Sequence, residues 1–134
     1  MTYKETIERL YTLQNPEKVA FKEKKFGVIS NNHSELKKIA KEIGKDNGLA
    51  LQLFDSGIYE ARILCSKIFK PKDVTVDLME KWVKTFENWE ICDSFSMGLF
   101  TKSDFALEKI LEWTKRKPEF EKRAAFATLA SYCM

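Results

Sequence analysis

The chain has 134 residues, 44% hydrophobic and 32% charged, with a formal net charge of +3 and only 5 glycines and 3 prolines. So little Gly and Pro excludes collagen-like, low-complexity and turn-rich all-β chains, and abundant apolar residues at low net charge exclude a disordered one. No apolar run approaches the ~20 residues that span a bilayer, and the opening MTYKETIERLY lacks a signal-peptide core, so a soluble, cytoplasmic, mostly helical domain is expected.

Taken in chain order, nearly every stretch carries a helical period. Residues 1–13 place Ile7, Leu10 and Tyr11 on one face and end at Asn15-Pro16. Residues 17–32 are less regular and read as a short helix followed by a loop through Phe26-Gly27-Val28. Ser34 is expected to cap a helix over 35–43 that buries Leu36, Ile39, Ala40 and Ile43, with Gly44 as its stop. A short helix over 47–54 leads into the turn Asp55-Ser56-Gly57, and a helix over 58–69 ends before Pro71. Thr75 opens a helix over 75–87, and another over 89–100 follows almost at once. Ser103 is expected to cap 104–116, and Pro118 sits at the entry of a last helix over 119–133. No strand-like alternation survives. The expected fold is all-α, with short turns between antiparallel helices.

Three cysteines, Cys65, Cys92 and Cys133, have no CxxC spacing and lie in apolar helical stretches, where free thiols act as small hydrophobes. The one histidine, His33, falls near a helix start and cannot build a metal cluster alone. Neither a disulfide framework nor a metal site is expected. The charge is distributed unevenly: 10 basic against 7 acidic groups in residues 1–46, 6 against 8 in 47–100, and 7 against 5 in 101–134. That balance permits nucleic-acid binding without requiring it. Basic runs at Lys22-Glu23-Lys24-Lys25 and Lys115-Arg116-Lys117 read as solvated surface.

A repeat is visible beneath this order. Aligning the helices that begin at Ile58, Trp89 and Glu119 puts Arg62, Asp93 and Arg123 in one register, 31 and then 30 residues apart, each ahead of an apolar run. A period of ~30–45 residues in helix pairs is the signature of an α-solenoid. In such a stack the second helix of each pair commonly lines the concave face, which would set the three charges in one groove as plus, minus, plus. The other reading is a row of ordinary salt bridges between helices, since half-buried charges need partners in any case.

One segment, Phe86-Glu87-Asn88-Trp89-Glu90-Ile91-Cys92-Asp93, could carry chemistry. Trp89 and Asp93 are i and i+4, so an indole and a carboxylate share a helix face. Together they suit a positively charged ligand, the ring offering its π face and the carboxylate a full charge. The plainer alternative is a core aromatic beside an Asp that bonds a lysine.

The blocks FGV at 26–28, LKKIAKEIGKD at 36–46, LFDSGIYEAR at 53–62, KWV at 81–83 with NWEICD at 88–93, and FEKRAA at 120–125 resemble, in order and spacing, the N-terminal part of the DNA alkylation repair (AlkD-like) proteins. The resemblance implies a stack of HEAT-like helical repeats forming one domain over 1–134 that lacks the C-terminal repeats of the longer family members. It further implies a glycosylase that removes alkylated purines from duplex DNA without a cofactor. Trp89 and Asp93 then match the family's aromatic and catalytic aspartate, Arg123 its groove arginine, and Arg62 a position with a structural or backbone-contact role. A helical-repeat module that binds nucleic acid or protein through its concave face, without catalysis, is the competing expectation.

Overall fold

Three helices of this chain begin where a short polar side chain satisfies a free amide, at Asp46, Thr75 and Asn88, and glycine at a positive φ follows two helices, at Gly44 and Gly57. The structure, a computed structural model, describes residues 1–12 and 33–133. The expected irregular stretch over 17–32, the Phe26-Gly27-Val28 block and the basic run at 22–25 lie outside the described residues. Eight α-helices and two short 3-10 turns occur among the described residues, with no strand. The chain divides into two compact units, Met1–Ile68 and Phe69–Met134.

In the first unit the helices are α1 (Tyr3–Thr12), α2 (His33–Ile43), α3 (Asn47–Asp55) and α4 (Tyr59–Ile68). Helix α1 buries Thr6 and Leu10, one turn apart, while Tyr11 is 57% exposed. The apolar face is therefore rotated from the expected one, because the Thr6 hydroxyl is satisfied locally by the carbonyl of Thr2 at 2.7 Å and can be buried. Helix α2 already includes His33, so Ser34 lies inside it rather than capping it. It ends as expected at Gly44, whose φ of +77° is open to glycine at no steric cost. Asp46 caps α3 by accepting from Leu49 N at 3.0 Å, and its own N–H bonds Ile68 O. Gly57, at φ +75°, turns α3 into α4, and the two pack as an antiparallel pair, with α2 also against α4.

The second unit holds α5 (Val76–Val83), α6 (Trp89–Gly98), α7 (Ala106–Trp113) and α8 (Glu119–Tyr132). Thr75 caps α5 through Leu78 N, as its sequence position predicts. Ser103 does not cap α7: its hydroxyl donates to Phe100 O at 2.8 Å within the 3-10 turn Phe100–Lys102. The core is aromatic. Trp82 meets Phe69 edge-on at 5.3 Å between ring centres and lies 5.2 Å from Phe95, while Phe100 bridges to Trp113 at 5.5 Å. Trp82, Phe95, Phe100 and Trp113 are sealed from solvent. Ring contacts in edge-on, tilted and offset-stacked arrangements add to plain burial.

A polar cluster completes the unit and fixes the start of α8. One oxygen of Glu80, on α5, accepts from Lys109 Nζ at 3.1 Å, the Trp113 indole N–H at 3.0 Å and Arg116 Nη2 at 2.8 Å. Arg116 also holds Glu112 at 2.6 Å and reaches Glu121, in the first turn of α8, at 3.0 Å. Burial raises the Glu80 carboxyl, but the hydrogen bonds from Arg116, Trp113 and Lys109 outweigh it and hold the pKa at about 2. The basic run around Arg116 is thus not simply solvated surface. Its middle side chain is only 23% exposed and ties three helices together.

Candidate functional site

Helix α6 starts where Asn88 accepts from Ile91 N at 3.1 Å, which fixes Trp89 as the first helical residue. Ile91, Cys92 and Phe95 turn inward. With their direction set, Trp89 and Asp93 stand one above the other on the open side. Trp89 is 65% exposed, so it is not a core aromatic. Helix α8 buries Ala124, Ala125 and Thr128, and it presents Arg123 toward α6.

These three side chains meet. Arg123 donates from Nη2 to Asp93 Oδ2 at 3.0 Å and from Nε to Asp93 Oδ1 at 3.3 Å, a two-pronged pair. The same guanidinium lies 4.8 Å over the centre of the Trp89 ring, within the range of a cation–π contact. Both partners of the ion pair keep solvent access, with 39% and 33% of their side chains exposed. The hydrogen bond that Arg123 donates to Asp93 raises its pKa against the opposing effect of burial, so the guanidinium is permanently charged. The partner of Asp93 is therefore an arginine one repeat on, and not a lysine.

Cys92, beside Asp93, is buried and its Sγ approaches Phe120 O at 3.5 Å. Burial, reinforced by the Asp93 charge, pushes its thiol up to about 12, which makes it a packing group and not a nucleophile. Cys65 is buried as expected, whereas Cys133 is exposed at the end of α8. Arg62 belongs to the first unit, where its guanidinium lies 5.6 Å over the Phe54 ring. Among the described residues no group of three or more His, Cys, Asp or Glu could hold a metal ion, and no helix is long and apolar enough to cross a membrane. The Glu80–Arg116 cluster was not singled out in the sequence. The one available signal was the i, i+4 pair Glu112 and Arg116 ahead of Pro118.

Antiparallel helix pairs in series, joined across 30 residues by the Asp93–Arg123 pair, are the architecture of a HEAT-like repeat protein. A solved structure described as a new family of proteins related to the HEAT-like repeat DNA glycosylases, with affinity for branched DNA structures, shares this fold at a TM-score of 0.81 and 20% identity. The match covers 98% of this chain and 57% of that one, so the chain spans a little over half the length of the structure it resembles. The family model for the DNA alkylation repair enzymes matches residues 6–133, and the chain belongs to that family. Among curated protein sequences none matches the chain.

Proposed function

We propose that the chain excises cationic N3- or N7-alkylated purines from duplex DNA, with Asp93 and Trp89 as the catalytic residues and Arg123 as a phosphate contact. The observation that supports this reading is that Trp89, 65% exposed, and Asp93, one-third exposed, share one face of α6. An alkylated purine already carries a formal positive charge. When the bond from C1′ to the base nitrogen breaks, the electron pair leaves with the base and neutralises it, and oxocarbenium character develops on the deoxyribose. A carboxylate aimed at that sugar stabilises the charge as it forms. Water then adds at C1′, and Asp93 takes its proton. The products are the free alkylbase, an abasic site and one proton.

Trp89 offers its face to the sugar or to the cationic base. Because the leaving group is activated beforehand, the reaction needs no strong general acid. Arg123 suits a phosphate beside the lesion, where its planar fork makes two parallel hydrogen bonds. Arg62 is assigned a backbone-contact or structural role, and the chain requires no cofactor for this chemistry. A second reading draws on the structural relative described as having affinity for branched DNA: binding through the helical-repeat surface with no base release. Release of 7-methylguanine or 3-methyladenine from alkylated duplex separates the two. The native chain is expected to release the base and Asp93→Asn to bind the duplex without releasing it. No release by the native chain, at concentrations that bind the duplex, removes the catalytic reading.

A further inference from the structure

The Trp89–Asp93 pair is already engaged by a planar, delocalised cation, and that cation is the chain's own. Arg123 covers the Trp89 ring at 4.8 Å and takes both oxygens of Asp93, at 3.0 and 3.3 Å. A positively charged base seeking the same ring face and the same carboxylate meets a like charge at contact distance. We infer that Arg123 is a resident occupant of the cation seat formed by Trp89 and Asp93, and that a ligand of the same chemical class, a flat aromatic monocation, binds by displacing it. The inference rests on the proposed function only for which cation arrives. That the seat accepts a planar cation follows from the geometry itself.

Displacement needs somewhere for the guanidinium to go. Its side chain is 39% exposed, and the buried residues of α8 are Ala124, Ala125 and Thr128, so moving the guanidinium does not require unpacking that face of the helix. A phosphate oxygen pair matches the guanidinium fork as well as a carboxylate does, and more strongly than water. Phosphate and cationic ligand therefore act together: the first draws Arg123 off, and the second fills the vacated seat. A site of this kind stays closed to stray cations until an anion lies beside it. Each half alone is weak and the combination is tight, which is positive coupling between two ligands.

The test uses 7-methylguanosine, under mildly acidic conditions where its ring is cationic, and neutral guanosine as control. Binding is read by calorimetry and by quenching of Trp89 fluorescence, since Trp82 and Trp113 are sealed. Removing a half-exposed ion pair and one stacking contact is expected to tighten 7-methylguanosine binding by about 3- to 30-fold in Arg123→Ala. Arg123→Gln, which keeps the bulk of the side chain, should show the same gain. Asp93→Asn in the Arg123→Ala background should lose it, and guanosine should not respond to any of these changes. In the native chain, replacing chloride by inorganic phosphate at matched ionic strength should also tighten 7-methylguanosine, with no such effect in Arg123→Ala. Weaker or unchanged binding in both Arg123 variants overturns the inference, and so does an absence of coupling to phosphate. Base release from alkylated duplex is scored separately. Tightening without release sinks the proposed function alone, and release without tightening sinks the occupant alone.

Discussion

Glu80 is the most heavily loaded polar group in the second unit, and replacing it by glutamine removes a charge that three donors share. One of its oxygens receives Lys109, Trp113 and Arg116, all at 3.1 Å or less, and the carboxylate is only 21% exposed. Its pKa falls from an ordinary 4.5 to about 2 in the folded chain. That interval corresponds to about 3 kcal/mol of stability. The sign follows from the depressed value: the contribution is fully present above pH 4.5 and is lost as pH falls toward about 2. Glu80→Gln should therefore unfold in urea with a deficit of about 3 kcal/mol at pH 7. The gap from the native chain should narrow through the acid range, because only the native chain has this carboxylate to protonate. Tryptophan emission is the natural probe, since Trp82 and Trp113 are buried beside the cluster. A deficit under about 1 kcal/mol at neutral pH, or one that persists undiminished at pH 3, would falsify the assignment of Glu80 as the hub.

Four further outcomes are expected. Trp82→Ala, which empties the centre of the aromatic core, should cost the second unit about 3–5 kcal/mol in chemical denaturation. Asp46→Ala removes the cap of α3 and should lower the stability of the first unit by about 1 kcal/mol, read by circular dichroism. Of the three cysteines, Cys133 alone should react rapidly with a thiol reagent at pH 8, while Cys65 and Cys92 wait for unfolding. The raised Cys92 pKa makes its thiolate scarcer still; fast labelling of all three would contradict their burial. If the chain binds duplex DNA through its basic side chains, affinity should fall steeply as salt rises. A flat salt response would point to a non-electrostatic interface.

The register that aligned Asp93 with Arg123 was legible because stacked helix pairs force residues one repeat apart to face each other, and two opposite charges there find one another. For this pair the reading as a salt bridge between helices holds, and the pair keeps solvent access near the exposed Trp89. The start of α5 was equally readable, from Thr75, because a capping bond is a local event within three residues; Asp46 and Asn88 cap α3 and α6 in the same way but were not singled out in the sequence. What escaped was non-local. Arg116 reaches Glu80 across 36 residues of sequence and three helices, and nothing in Lys115-Arg116-Lys117 tells the middle residue from its neighbours. Ser103 and Thr6 failed for a related reason. A hydroxyl can satisfy itself on a nearby carbonyl, and so neither caps a helix nor stays at the surface.

The contact that closes the candidate site is also a fastening between neighbouring helices, but it is not the only one. Cys92 Sγ meets Phe120 O, the Thr101 hydroxyl meets Thr128 O, and the Ser131 hydroxyl meets Met97 O, at 3.4 to 3.5 Å along the length of α8. The first two ties are part-buried on the packed seam, while the Ser131–Met97 tie and the Asp93–Arg123 pair lie at its solvent edge. Mechanically, the edge can unbutton while the seam holds. Opening the site would thus be a side-chain rotation with a fast return, not a parting of helices, and hydrogen exchange in α6 and α8 should look the same with the arginine docked or swung away.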